Sequence, residues 1–592
     1  MTKRIFLLLA LALCFTMAGA RKITYNMADY GIKPGAEQLT ERVTKFLDEL
    51  SGKVGPDDQI VLKFQKGTYR FYQDGITEIE YYISNHDQNQ PKRVVFNLHH
   101  FRNLTVDGSG SEFIFSGIVT PFILNYTENC HLKNFSIDWD EPMMVPMTIV
   151  KNGGRDGITF SVPSWVKWTA DDDSTFCIKG EQWVVRPTAG IPFDPKTQHI
   201  TYGTGEFGIN TAGFKSLGGN TFLAPKWTND KLEAGMVVAA RSWHRPAPAI
   251  SLNEAKQTKL TNVSVHYAFG MGLIAQRCTD ITLKGFKVCL KDGEKTDRFY
   301  TTSADATHFS QCRGKIVSED GLYEGMMDDA INVHGVYLKV RQRIDDHTLL
   351  CQYMHEQAWG FNWGNSGDSV QFIRANTMEA FGPNVITGIK PVDRVQLRGM
   401  RVFKISFRDE LPAEVNQDAG IGIEDLTWTP EVIFRNNIVR NNRARGALFS
   451  SPRRTLCEKN TFDHVSGTAI LLCGDCNGWY ESGAVRDLVI RKNKFINCLT
   501  NYFQFTNAVI SIYPEIPNLE GQQTLFHGGS AGSVVIENNT FDVFDAPLLY
   551  AKSIDGLVWR KNKVTKNSEY APFHWNKEAF KTEHVKNVKI EE

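Results

Sequence analysis

No sign of charge dominates this chain: 66 Lys+Arg against 66 Asp+Glu over 592 residues leave a formal net charge of zero. Nucleic-acid binders usually carry a basic excess or a basic stripe, so that class is set aside. Beyond residue 20 there is no apolar run long enough to span a bilayer. Cysteine is scarce and irregularly spaced, 11 in all, which excludes the disulfide framework that small core-poor domains need. Cys473-Gly474-Asp475-Cys476 is the single C-x-x-C, with no second pair or His pair at zinc spacing. It reads as a loop with free thiols or one local bridge. H-E-x-x-H and P-loop motifs are both missing. Asp171-Asp172-Asp173 reads as an acidic loop rather than a Ca²⁺ site.

The chain is otherwise rich in folding material: 42% hydrophobic residues, 22% charged residues, 48 Gly, 37 Phe and 12 Trp. That is the composition of a globular protein with many turns and large aromatic surfaces. At the start, Lys3-Arg4, the apolar run Ile5 to Phe15 and Ala18-Gly19-Ala20 have the layout of a secretory signal, residues 1–20, with Arg21 beginning the exported chain. Export to a periplasm, the cell surface or beyond follows from that reading.

The C-terminal third repeats. Val432-Ile433-Phe434-Arg435-Asn436-Asn437, Cys457-Glu458-Lys459-Asn460, Leu488-Val489-Ile490-Arg491-Lys492-Asn493, Val534-Val535-Ile536-Glu537-Asn538-Asn539 and Leu557-Val558-Trp559-Arg560-Lys561-Asn562 share one pattern. The marker asparagines 437, 460, 493, 539 and 562 are spaced 23, 33, 46 and 23. This reads as a period of 23, with a ten-residue insertion in the second interval and a double period in the third. Each repeat is a short β-branched strand, a polar Asn turn and a second strand. None has helical periodicity, so helical solenoids are excluded. The fold expected is all-β, a right-handed parallel β-helix with strands about 4.8 Å apart. Asn suits the sharp turn because it tolerates the left-handed region, and stacked Asn residues can form an amide ladder.

Earlier coils appear at Asn103-Leu104-Thr105-Val106, Leu132-Lys133-Asn134-Phe135, Asn262-Val263-Ser264-Val265 and Gly285-Phe286-Lys287-Val288. Two stretches, about 141–248 and 336–420, are strand-rich without the repeat, and structureless loops of that length are improbable. They read as two antiparallel barrel-like subdomains inserted into coil loops. The expected order is therefore a cap over 21–90, coils over 91–140, the first insert over 141–248, central coils over 249–335, the second insert over 336–420 and final coils over 421–592.

Function has to come from residues that stack outward together, because the fold alone specifies none. Asp305 precedes Asp328 and Asp329 by about one coil, which would bring three carboxylates within roughly 5–10 Å. Crowded carboxylates cannot all ionise freely, so one acid and one base can coexist, as glycoside hydrolysis requires. Strict alternation separates Asp328 from Asp329, so Asp329 must lie at a bend to reach the same site. Arg445 falls about where the next coil stacks on Asp328. His308 and Asn332 are further candidates for the cleft, and His334 ends the same strand. Trp359, Trp363 and Trp243 could each stack on a sugar and each reads more as core, with Trp363 kept as the aromatic substrate-binding candidate.

These residues suggest a family. The Ala28-Asp29-Tyr30-Gly31 segment, the two inserts and Gly325-Met326-Met327-Asp328-Asp329-Ala330-Ile331-Asn332-Val333-His334-Gly335 resemble glycoside hydrolase family 110, the exported α-1,3-galactosidases of gut Bacteroides and related bacteria. The resemblance covers nearly the whole chain after residue 20. It implies exo-acting removal of terminal α-1,3-linked galactose with inversion, from the blood-group B determinant or linear α-1,3-galactosyl ends. It implies Asp305, Asp328 and Asp329 as the catalytic carboxylates, acid and base unassigned, and neither metal nor organic cofactor. The partner implied is a glycan; the choice between monomer and homodimer stays open. Two rivals remain at this stage: another β-helix carbohydrate enzyme, such as a polyuronide hydrolase or polysaccharide lyase, and a glycan-binding β-helix without turnover.

Overall fold

The computed structural model describes residues 21–293, 296–503 and 506–591; the expected signal sequence, residues 1–20, lies outside them. The repeat builds one continuous parallel β-helix. Coil strands pair in register with the next coil, as in Val432↔Thr455, Thr455↔Leu488, Leu488↔Val534 and Val534↔Leu557. Coil strands occur from the start of the described chain, where Lys22–Asn26 pairs in parallel with Gln59–Lys63, and that strand with Leu104–Ser116. The amphipathic segment forms a helix, Leu39–Ser51, whose buried Leu39, Val43, Leu47 and Leu50 cover the apolar core near this end.

The 46-residue interval is one coil, not two. Leu488–Arg491 pairs directly with Val534–Glu537, so the extra residues form a long loop within a single turn of the solenoid. The marker asparagines also behave differently from expectation. The left-handed residue of each turn is the one before: Asn436 at φ 55°, Lys459 at 57°, Lys492 at 56°, Asn538 at 56° and Lys561 at 52°. The markers Asn437, Asn460, Asn493 and Asn539 are themselves buried. They form the amide ladder: the Asn437 N–H donates to Asn460 Oδ1 at 2.9 Å, Asn460 to Asn493, Asn493 to Asn539 and Asn539 to Asn562, each at 2.9 Å. Asn is selected at these positions because its side chain can satisfy buried backbone groups of adjacent coils, each bond worth about 1 kcal/mol net. Inside, aromatic rings stack along the same axis, Phe462 on Phe495 at 5.1 Å and Phe495 on Phe541 at 4.7 Å.

The inserts differ in closure. The second closes into a six-stranded barrel of Leu338–Asp345, Thr348–Gln352, Gly399–Phe407, Glu379–Val395, Ser369–Arg374 and Ile421–Asp425. The first is an open seven-stranded antiparallel sheet, its central strands Val237–Arg241 and Val145–Asn152, beside a three-stranded sheet over Trp168–Val185. Both inserts leave the solenoid and return to it around the same stretch of coils. That stretch comprises the stacked strands Leu273–Gln276, Thr307–Ser310, Ile331–Val336, Ala447–Phe449 and Ile470–Leu472. All ten cysteines among the described residues are free and buried, Cys473 and Cys476 included.

Candidate active site

Along the five stacked strands, alternate residues face opposite ways. Phe309, Val333 and Phe449 go into the core, while His308, Asn332, Leu448 and Leu471 form one outward column. This column floors a cavity of about 310 Å³. Trp243 and Arg245 on the return from the first insert, Gln357 of the second insert, Trp479 of a coil loop and Glu481 line it as well.

Register places the charges. Thr307 pairs with Ile331 and Ile331 with Ala447, so two residues earlier Asp305, Asp329 and Arg445 stand in one column. The Ala306 N–H donates to the Asp329 carbonyl at 2.7 Å, fixing that stack. Arg445 therefore lies over Asp329 rather than Asp328. Asp328 and Asp329 occupy the corner between Leu322–Glu324 and Ile331–Val336, where alternation is broken, so adjacent residues can serve one site. Asn442 Nδ2 holds the corner, donating to the Asp328 carbonyl at 3.2 Å and the Arg445 carbonyl at 2.6 Å. Oxygens of Asp305, Asp328 and Asp329 lie within 4.8 Å of one another.

Three guanidiniums answer these carboxylates. Arg445 donates from Nε to Asp329 Oδ1 at 2.8 Å, and from Nη2 to Asp329 Oδ2 at 2.9 Å and Asp328 Oδ1 at 3.1 Å. Arg443 and Arg245 each lie 3.4 Å from Asp328. Arg443 is also bound to Glu206 of the first insert, which pairs with the buried Arg241 too. Burial resists ionisation of Asp328, but Arg443, Arg445, Arg245 and Arg241 together hold its carboxyl below the usual range. Asp305 is the opposite case: burial first, then the Asp328 charge, push it up to about 8. Burial also drives Asp329 upward, with Asp328 and Asp305 adding to the push, while Arg445 opposes it. The bidentate Arg445 fork engages both Asp329 oxygens as acceptors, and that geometry decides for the carboxylate.

Such a trio could in principle hold a divalent cation, but the positive charge it would bring is already supplied by Arg245, Arg443 and Arg445. A second set of potential ligands, His199, His464 and Glu569, is internally satisfied on His464, whose ring nitrogens meet Asp463 at 2.5 Å and Glu569 at 3.1 Å. Asp171 is occupied as a turn acceptor and by Arg186.

Two family models match: "GLAA-B beta-barrel domain I" over residues 146–238 and "GLAA-B beta-barrel domain II" over 348–419. A protein of Bacteroides fragilis named "Alpha-1,3-galactosidase B" is 53% identical over 99% of this chain and 98% of its own length. One of Phocaeicola vulgatus with the same name is 53% identical over 99% of this chain and 99% of its own. An "Alpha-1,3-galactosidase A" of Bacteroides fragilis is 30% identical over 100% of this chain and 95% of its own. The chain belongs to glycoside hydrolase family 110.

Of the seven residues singled out as site candidates, this family 110 chain gathers six around the cavity: Asp305, Asp328, Asp329, Arg445, His308 and Asn332. Asn332 is 4% exposed and its Oδ1 has no hydrogen-bond partner among the described residues, leaving it free to accept from a sugar hydroxyl. Trp363 does not line the cavity. It is 0% exposed in the barrel core, where its indole N–H donates to the Val336 carbonyl at 2.8 Å. The aromatic walls are Trp243, 54% exposed, and Trp479, which stacks on His355 with centroids 4.1 Å apart. Trp479 is presented by a turn in which Asp475 accepts three backbone N–H groups, of Asn477, Gly478 and Trp479. Arg245, Arg443, Asn85 and Glu481 were not legible in the sequence. Arg245, Arg443 and Asn85 come from connecting loops and Glu481 from the two-residue strand Glu481–Ser482, which pairs antiparallel with Gly335–Val336, and the coil period places none of them.

Proposed function

We propose that this protein is an exo-acting glycoside hydrolase that removes terminal α-1,3-linked galactose by acid/base catalysis with inversion. The observation that carries the reading is a pocket, not an open groove, holding three clustered carboxylates in differing charge states. Walls from both inserts and a coil loop suit a substrate that ends there. The 53% identical relatives over nearly the whole chain carry the corresponding name, which supports the substrate class. Trp243 and Trp479 offer faces for the apolar side of a pyranose. Ionised Asp328 and Asp329 and a protonated Asp305 give the site both a proton donor and proton acceptors. Inverting pairs usually stand about 6.5–9.5 Å apart to admit water. One oxygen from each carboxyl lies within 4.8 Å of the others, an upper bound on the oxygen separation that leaves the spacing of the carboxyl groups unfixed, so inversion rests on the stereochemical test.

The test is time-resolved proton NMR with the blood-group B trisaccharide and a linear α-1,3-digalactoside. β-Galactose is expected first. Early α-galactose would keep the galactosidase and overturn inversion, demanding a covalent nucleophile. No release from either substrate would overturn the activity and return the polyuronide or lyase chemistry of other β-helix enzymes. Export belongs to the same proposal, and N-terminal sequencing of protein recovered from the periplasmic or extracellular fraction is expected to begin at Arg21. A chain beginning at Met1 would sink it.

A further inference from the structure

From Asp305 runs a file of buried polar groups, of which His308 also belongs to the cavity floor. His308 Nδ1 is 2.8 Å from Asp305 Oδ2. The His308 Nε2 is 2.9 Å from His334 Nε2. His334 Nδ1 is 2.7 Å from the Gly335 carbonyl oxygen. Both rings are buried, and register alone would not bring them together, since His308 pairs with Asn332 and His334 with Ser310.

These three contacts fix a proton count. A carbonyl only accepts, so His334 Nδ1 must carry a hydrogen. The contact between two Nε2 atoms needs one hydrogen, from either ring. The contact between His308 and Asp305 needs one more. Three gaps hold three protons, whereas an ionised Asp305 with two neutral imidazoles would hold only two. Three arrangements fill every gap; the one with His308 as an imidazolium between ionised Asp305 and neutral His334 is disfavoured because burial depresses that ring, which leaves two. In one, Asp305 O–H donates to His308 Nδ1, His308 Nε2–H donates to His334 Nε2, and both rings are neutral. In the other, Asp305 is ionised, His308 Nδ1–H donates to it, and His334 is an imidazolium donating from Nε2 to His308.

We propose that Asp305, His308 and His334 form a proton wire that stores one shared proton and moves it between the Asp305 carboxyl and the His334 ring. The balance is simple. The Asp305 proton passes from Oδ2 to His308 Nδ1, while the His308 Nε2 proton passes to His334 Nε2. Asp305 gains a negative charge, His334 a positive one, and His308 is neutral before and after. Asp305 can thus change charge during turnover without opening the buried site to solvent.

The groups facing the wire fit both ends. Burial holds the His334 ring below its usual range, and Glu481 Oε1, 3.6 Å from His334 Nε2, opposes that burial together with the Gly335 carbonyl and an ionised Asp305, so the imidazolium is favoured only while Asp305 is charged. Asp328 faces Asp305, while Arg245 and Arg445 lower the cost of ionising it. The Asn85 amide nitrogen lies 3.1 Å from His308 Nε2, and an amide has both a donor and an acceptor end to follow the switch. Arg245, the buried His86 and Glu481 act on His308, and burial depresses that ring to about 4, keeping it neutral in either arrangement.

The inference rests on the galactosidase reading for its catalytic consequence, but the wire itself can be measured without turnover. His308 and His334 act through Asp305, so the decisive readouts are proton positions and a split between kcat and KM. In ¹⁵N-histidine-labelled full-length protein near pH 7, NMR is expected to show His334 bearing hydrogen on Nδ1 and His308 as the Nε2–H tautomer. A His334 ring protonated on Nε2 alone would overturn the wire, whatever the enzyme's activity. His334→Gln keeps a donor for Gly335 and an acceptor for His308 but cannot become a cation. It is expected to lower kcat at least about tenfold, within the range of assisted proton transfer, with KM within about twofold. Unchanged kcat in a folded His334→Gln protein would overturn the proposal. If that variant fails to fold, Glu481→Gln replaces it: a kcat lowered with KM retained supports the wire, and an unchanged kcat overturns it. Absence of galactose release by the parent enzyme would remove the functional reading while leaving the tautomer result to stand or fall alone.

Discussion

Asp328→Asn is expected to lower kcat on an α-1,3-galactoside at least about a hundredfold, the scale of general acid–base catalysis. A hundredfold corresponds to about 2.7 kcal/mol of transition-state stabilisation, at 1.36 kcal/mol per decade. The fold should survive, because the amide keeps the size of the side chain in a corner held by Asn442. Its effect reaches beyond one residue. Asp328 is one of the two ionised members of the trio and the second-largest cause, after burial, of the raised Asp305 carboxyl at about 8. Removing that charge lets Asp305 ionise at lower pH. A raised carboxyl is protonated at neutral pH and loses its proton as pH rises through its folded value. In Asp328→Asn any residual activity that needs the Asp305 proton should therefore fade at lower pH than in the parent. Asp305→Asn and Asp329→Asn are expected to lose at least about a hundredfold as well, by the same chemistry. Steady-state rates on purified, folded variants decide each case, and near-parental turnover in any one removes that residue from the machinery.

Much of the site could be read from the sequence because a solenoid converts distance along the chain into position in space. The interval between Asp305 and the Asp328-Asp329 pair is one coil, and pairing of Thr307 with Ile331 and Ile331 with Ala447 then stacks Asp305, Asp329 and Arg445. The same logic brought His308 and Asn332 to the outward column. It failed where the chain leaves the repeat. Arg245 follows the first insert, Glu481 sits in a two-residue strand that the coil period does not place, and Glu206, which steadies Arg443, belongs to the insert itself. Trp363 shows the other limit. An aromatic residue in a barrel strand or its flank is chosen by composition alone, and only packing tells a core indole from an exposed one such as Trp243. Periodicity also misread two details. A 46-residue interval is one looped coil, because a solenoid tolerates long excursions between strands. The marker Asn is the buried ladder residue, its left-handed neighbour being Asn or Lys.

Arg445→Met is expected to destabilise the fold by about 3–5 kcal/mol at pH 8, the cost of stranding one partner of a buried ion pair. Asp329 is the stranded group: its side chain is 1% exposed and both oxygens rely on the Arg445 fork. The stranded carboxyl can escape by taking up a proton, which makes the loss pH-dependent with a definite sign. Without Arg445 the remaining influences, burial and the Asp328 and Asp305 charges, all raise the folded value. A carboxyl raised in the folded state retains its stability below its unfolded value and loses it as pH rises, at about 1.4 kcal/mol per pH unit. Chemical unfolding should therefore show a small gap between variant and parent at pH 4–5 that widens towards pH 8. Arg445→Lys should restore only part of the loss, because an ammonium cannot reproduce a fork that engages two oxygens of one carboxylate. Adding Asp329→Asn to Arg445→Met should narrow the gap at pH 8, since the charge that made the loss is gone. A gap independent of pH would mean that Arg445 stabilises the fold by packing rather than by holding Asp329 ionised. The assignment of Asp329 as a carboxylate in the resting site would then fall with it.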